Sequence, residues 1–363
     1  MYYRFEIIDL LPYLLLYTCC LYFSIRNKKN DYLFVGLFLF LFSAFRYGIG
    51  YDFFAYTRLI EGTASYRDIE WISQLLMDIA KKINWTHFYF LINSLVVIFP
   101  IVLIAKRYST NKAFSVFAFY LIPLFFLDSM SIIRNASAYS IVFLSFLFLE
   151  RKKILVYILL CIIAGGFHQS GYIGLILLPL YYLRFGSKLN LIIFIISIAF
   201  SFLGLSSKII SLLTSIDIAQ LQIYLAYSTD QGRFMKFILF FIGSINLLFE
   251  RRLILDNYYN KQFIKFFNVG LLIWSIFSFD HTLSLRLASF FLLFEILIVP
   301  SYVLIFGEKN KTITKQIVYT FFTLYLASSF FVNIVGYSPE WGNKISFLPY
   351  QTVFYYKNYT NYN

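Results

Sequence analysis

Apolar runs of roughly 14 to 20 residues, each closed by charged or strongly polar positions, recur along the whole chain. That length is the mark of membrane-crossing helices, whereas barrel strands would alternate polar and apolar residues over about ten positions. The runs fall at 7–24, 32–45, 88–105, 113–127, 136–149, 154–166, 172–183, 191–205, 234–249, 263–279, 287–306 and 317–336. The pattern predicts an all-α, polytopic membrane protein with about twelve transmembrane helices, ten to fourteen allowing for the shorter runs, forming a single domain over 1–363.

Between the runs the pattern changes. In "IEWISQLLMDIAKKI", residues 69–83, Ile69, Ile72, Leu75, Leu76, Ile79 and Ile83 recur at helical spacing with Glu70, Gln74, Lys81 and Lys82 between them, which predicts an amphipathic helix at the membrane surface. Residues 209–227 give a second, less regular candidate. With the aromatic tail at 337–363, they are three segments able to roof a cavity.

Charge sets the orientation. Six alternate loops, 26–31, 106–112, 150–153, 184–190, 250–262 and 307–315, hold 17 of the 31 Lys and Arg in 46 positions, while the other connections and tails hold 12 in about 125. Short basic loops stay in the cytoplasm. Both termini, the large loops 46–87 and 206–233 and the tail are therefore predicted outside. Since topology accounts for most of the +13 net charge, nucleic acid is not a predicted partner.

Composition agrees, with 60% hydrophobic and 13% charged residues and a mean hydropathy of +0.72. The three cysteines lie inside runs and imply no disulfide framework. The N-terminus lacks a basic start and a small-residue cleavage site, and reads as a retained first span. There is no glycine-rich phosphate loop, no His/Cys cluster and no Asp-x-Asp pair, so neither a metal nor a cofactor is assigned. Any chemistry must take place at the membrane face.

The polar residues at the outer ends of the runs carry the rest. "FRYGIGYDFFAYTRLIEG" at residues 45–62 resembles the signature of the EpsG-like family of Wzy-type polysaccharide polymerases, with Phe53 where Tyr is usual and Tyr51 where Thr is common. "SIIRNASAYSIVFLS", "GGFHQSGYIGLILLP", "SLRLASFFLLFEILIVP" and "LPYQTVF" follow in the family's order. The resemblance spans the chain. It implies a C-type glycosyltransferase fold in the bacterial cytoplasmic membrane, with the active site on the extracytoplasmic face. It also implies transfer of an oligosaccharide from undecaprenyl diphosphate to the non-reducing end of a second lipid-linked repeat unit. Donor, acceptor and membrane lipid are then the partners, with room for a chain-length regulator protein.

That reaction needs charge stabilisation on the leaving diphosphate, a proton acceptor and a sugar platform. Arg46, Arg134 and Arg286, at outer ends of runs, are the diphosphate candidates, because a guanidinium grips two phosphate oxygens and keeps its charge. His168 is the base candidate and His281 the second. Asp52 joins them on the same side and is also placed to brace Arg46 across the double-glycine turn. Tyr47, Tyr51, Tyr224 and Tyr227 are sugar-stacking candidates. Glu295, nine residues after Arg286, falls on the opposite helix face and is expected to meet a polar partner on a neighbouring helix. Two other classes remain open. A lipid-linked oligosaccharide flippase would want repeat-related halves and a charged central path, and a membrane O-acyltransferase would want a single His deep in the bundle.

Overall fold

A computed structural model of the protein describes residues 5–65, 69–203, 205–206, 233–335 and 346–357. It is 78% helical, with no strand among the described residues. This is the outcome hydrocarbon imposes, since a helix satisfies its own backbone groups.

The chain divides into two units, Met1–Tyr172 with Lys315–Asn363, and Ile173–Thr314. The first contains α1 (Leu11–Arg26), α2 (Asp31–Ala44), α3 (Phe53–Glu61), α4 (Trp71–Lys82), α5 (His87–Tyr108), α6 (Lys112–Leu121), α7 (Phe126–Ser129), α8 (Ile133–Glu150) and α9 (Ile154–Phe167). The second contains α10 (Leu177–Tyr182), α11 (Ser187–Phe202), α12 (Arg233–Leu248), α13 (Glu250–Asp256), α14 (Asn260–Ile276), α15 (His281–Leu292) and α16 (Glu295–Ile298). The last long helix, α17 (Lys311–Val335), falls mostly in the first unit.

Each apolar run is mostly helical where described, with turns interrupting some of them, but the count of twelve full crossings is not confirmed. Among the described residues only Ile7–Arg26 and His87–Tyr108 are long and apolar enough to cross alone. A third candidate comes from joining His281–Leu292 to Glu295–Leu304 across a 40° bend. Other apolar helices have 10 to 17 residues, short of the roughly 20 that a bilayer core requires. Proline explains some of the shortening. The run 113–127 splits at Pro123 into α6 and α7, and the run 287–306 changes to a 3-10 helix at Val299–Leu304, which contains Pro300. Lipid-facing character survives in side chains such as Leu155, 84% exposed on α9.

Helix α4 forms as predicted but is two-faced in a different way. Ser73, Met77 and Ala80 bury against the protein, while Trp71, Leu75 and Ile83 stay exposed, as suits a helix lying between protein and membrane surface. Phe53, Tyr56 and Ile60 of α3, Met77 and Ala80 of α4, Tyr89 and Phe90 of α5 and Ile133 of α8 make one buried cluster, with Phe53 stacked on Phe90 at 4.3 Å. The cluster fastens the α3–α4 hairpin onto the ends of α5 and α8. In the second unit Glu295, 1% exposed, accepts from Asn246 Nδ2 at 2.9 Å and from the Tyr302 hydroxyl, the polar partnership expected of an intramembrane carboxylate.

Candidate active site

The site is built where α8 begins and α9 ends. A three-residue turn returns the chain between these helices, so the start of α8 lies beside the end of α9. Arg134 and Asn135 occupy the first turn of α8, while His168 caps α9. Gly166 makes room for α4 to approach, because a Cβ there would lie 2.6 Å from the Trp71 ring and 2.8 Å from Ile72. Ser73 completes that contact by donating to the Phe167 carbonyl at 2.9 Å.

Two chains of polar contacts meet in this corner. Arg134 Nε donates to the Tyr56 hydroxyl at 3.0 Å, and its Nη1 forms an ion pair with Glu70 Oε2. The other Glu70 oxygen accepts from the Gln169 backbone N–H at 2.9 Å, tying the arginine's partner to the residue after His168. In the second chain Asn135 Nδ2 donates to Ser170 Oγ at 2.7 Å, and Ser170 Oγ lies 2.7 Å from His168 Nδ1. The Ser170 backbone N–H also donates to Nδ1, at 3.2 Å. A ring nitrogen that receives a backbone N–H must present a lone pair, so neutral His168 carries its proton on Nε2. As a neutral ring, then, His168 offers a donor at Nε2.

Arg134 keeps part of its fork in reserve. Its side chain is 16% exposed, and among the described residues no acceptor meets Nη2. Arg46 differs in every respect. It is 1% exposed, and burial pulls its guanidinium down to about 10, leaving it charged at neutral pH. Nη1 donates to the Ser43 carbonyl, to Ser43 Oγ at 3.2 Å and to Ser94 Oγ at 3.3 Å. Nε donates to the Ile49 carbonyl at 3.3 Å and Nη2 to the Met130 carbonyl at 3.4 Å. The expected brace from Asp52 is not among these partners. Asp52 stands instead at the N-cap position of α3, half-buried and without a capping side-chain bond.

The glycine turn serves Arg46. Gly50 has φ +96° and a Cβ on it would sit 2.1 Å from the Met130 carbonyl oxygen, the same oxygen that accepts from Arg46. Tyr51 N–H donates to Ser131 Oγ at 3.2 Å. The motif thus fixes residues 130–131, just ahead of Arg134. From the other side residues 346–357 close over it. Phe45 O accepts from Val353 N–H at 3.0 Å, Tyr47 N–H donates to Gln351 O at 2.8 Å and Gly50 N–H to Ser346 O at 2.8 Å. Tyr47 stacks on Tyr356 at 3.7 Å and Phe42 on Tyr350 at 3.9 Å.

The structure therefore brings Arg134 and His168 together and puts Arg46 behind them. Arg286 and His281 belong to the second unit, on α15, where Asp280 caps the helix through Leu283 N–H at 2.6 Å and His281 lies edge-on to Trp274 at 5.5 Å. Tyr51 is 65% exposed, whereas one face of Tyr47 is covered by Tyr356. Tyr224 and Tyr227 lie outside the described residues, as does the candidate segment 209–227. Sequence reasoning missed Glu70, Tyr56, Asn135 and Ser170. Asn135 and Ser170 stood within quoted motifs beside Arg134 and His168, and Glu70 read only as the polar face of α4.

Compared with known proteins, the chain matches the family model described as EpsG family over residues 29–352. No curated protein and no solved structure matches it.

Proposed function

The chain belongs to the EpsG family, that of Wzy-like polysaccharide polymerases, and from that premise we propose that it transfers an oligosaccharide from undecaprenyl diphosphate to the non-reducing end of another lipid-linked repeat unit. Family and apolar helices together make this a polysaccharide-polymerase-type membrane protein. The observation that carries the proposed transfer is the Arg134 corner. A guanidinium aimed by Tyr56 and Glu70, with Nη2 unspent, supports a role in gripping a diphosphate at a membrane surface.

In this reading the bond from the sugar's anomeric carbon to the diphosphate oxygen breaks, its electron pair leaves with the diphosphate, and Arg134 stabilises the charge that develops. The acceptor hydroxyl oxygen attacks the same carbon. His168 donates from Nε2 to the departing diphosphate or to a sugar hydroxyl, and the acceptor's proton passes to a diphosphate oxygen as the new bond completes. Arg46 is a positioning residue that acts through Met130 and Ser131, and Arg286 remains a proposed diphosphate ligand of the second unit. The distribution of basic loops supports an extracytoplasmic site in the cytoplasmic membrane. A fold of the C-type glycosyltransferase kind with about twelve crossings is likewise part of the proposal.

Deleting the gene and separating surface glycan on a gel tests the assignment. Loss of a polymerase leaves single capped repeats, loss of a flippase leaves none, and a surviving modal ladder overturns the proposal.

A further inference from the structure

Beyond that reaction, we infer that the second unit holds a binding site for a phosphate-bearing anion, in the cavity between the end of α10 and the start of α14. The cavity has a volume of about 510 Å³ and is lined by Arg184, Lys261, Lys265, Gln262 and a wall of aromatic rings that includes Tyr181 and Tyr258. Three of its lining side chains are cationic and none is acidic.

The three cations play different parts. Lys265 forms the floor, 2% exposed, and its ammonium donates to the carbonyls of Leu180 at 2.5 Å, Leu183 at 3.0 Å and Tyr181 at 3.4 Å. Its three hydrogens are thereby spent on the end of α10, but its charge is balanced by no carboxylate among the described residues. The Phe185 and Phe266 rings, 5.4 and 5.5 Å away, shield it from water. A buried cation paired only with carbonyl dipoles projects its field into the cavity beside it. Arg184 and Lys261 line the same cavity from exposed positions, and among the described residues neither side chain has a hydrogen-bond or ion-pair partner. They have donors to give, and Lys265 supplies a fixed positive potential beneath them.

A basic cavity ringed by tyrosine, in loops that the charge rule assigns to the cytoplasmic side, suits the phosphate of an anionic phospholipid headgroup. Guanidinium and ammonium would hold its oxygens while the rings lie at headgroup level. A free phosphate shares the recognised chemistry, and the two sources are separable.

The test uses the full chain purified in detergent, titrated with dioleoylphosphatidylglycerol, dioleoylphosphatidylcholine or sodium phosphate, with bound lipid counted by native mass spectrometry and binding followed by thermal shift. Phosphatidylglycerol should bind and phosphatidylcholine should not. Arg184→Gln and Lys261→Gln should each weaken binding about fivefold, and the double variant about 25-fold, from the usual worth of one basic residue near an anionic headgroup. Arg184→Lys and Lys261→Arg should bind within about twofold of wild type. Binding to the unmodified protein should also weaken as salt is raised, so the outcome does not depend on the variants folding. Sodium phosphate that binds as tightly as the lipid, and is lost in the same double variant, would identify a soluble anion as the source. Equal binding of the two lipids, or a double variant that binds phosphatidylglycerol like wild type, would overturn the inference.

Discussion

Replacing Arg46 by Lys separates a framework role from contact with substrate. The guanidinium reaches acceptors on three sides, Ser43 and Ser94 through Nη1, Ile49 through Nε and Met130 through Nη2. A lysine ammonium concentrates its three donors on one atom and cannot span that arc. At least two buried carbonyls, those of Ile49 and Met130, lose their donor. Each orphaned buried group costs about 1 to 3 kcal/mol, so the change should destabilise by roughly 2 to 6 kcal/mol. The bonds at issue are long, 3.3 and 3.4 Å, which favours the lower half of that range. At ~2 to 4 °C per kcal/mol, melting should fall by several degrees. A thiol-reactive fluorophore can follow this, since Cys20 and Cys161 are buried and only Cys19 labels beforehand. Polymerisation should fall together with stability. Unchanged melting with polymerisation abolished would refute the framework role and put Arg46 on the substrate. Unchanged melting and a normal ladder would show that these bonds contribute nothing.

Gly50→Ala should be destabilising by more than the roughly 1 to 2 kcal/mol of a left-handed backbone alone, because the new methyl also displaces the Met130 carbonyl. Combined with Arg46→Lys it should be less than additive by thermal melting, and full additivity would break the link through Met130. Arg134→Lys should lower polymerisation about ten- to more than a hundredfold at equal protein level, having lost the geometry imposed by Tyr56 and Glu70, and a wild-type ladder would leave only anchoring. His168→Ala should cost about 10² to 10³ in turnover, as for a lost donor to developing charge, whereas His168→Gln, whose amide donates from a similar place, should stay within about tenfold of wild type. A Gln variant as inactive as Ala would restore the ring to the role of base. Phosphatase fusions should be active at residue 168 and silent at residue 152, and the reverse would invert the orientation.

What the sequence revealed, and what it concealed, follows the range of each interaction. Helix positions were legible because hydrophobic runs and their charged ends are local, and α4 was legible because its 3.6-residue period is local too. Span number was not, since whether a helix of 10 to 17 residues completes a crossing depends on its neighbours. Arg46 and Arg134 looked alike, each an arginine at the outer end of an apolar run. Their difference comes from Ser94 and Met130, 48 and 84 residues from Arg46, and from Tyr56 and Glu70, 78 and 64 residues from Arg134. Glu70 read as a solvated face position because its partners, Arg134 and the Gln169 N–H, lie far along the chain.

The same logic reassigns the motif "RYGIGYD". Its arginine is satisfied from below by α2, α5 and the Met130 carbonyl, and its main chain is bonded from above by the segment 346–357, about 300 residues later. A loop in an apolar setting has to find partners for such groups, and here they come from the end of the chain. Within the motif, Tyr51 and Asp52 retain exposure while Arg46 and Gly50 do not. In the proposed reaction any substrate contact from the motif is assigned to its partly exposed side chains, Tyr51 and Asp52 among them, while Arg46 and Gly50 meet the Met130 carbonyl just ahead of α8.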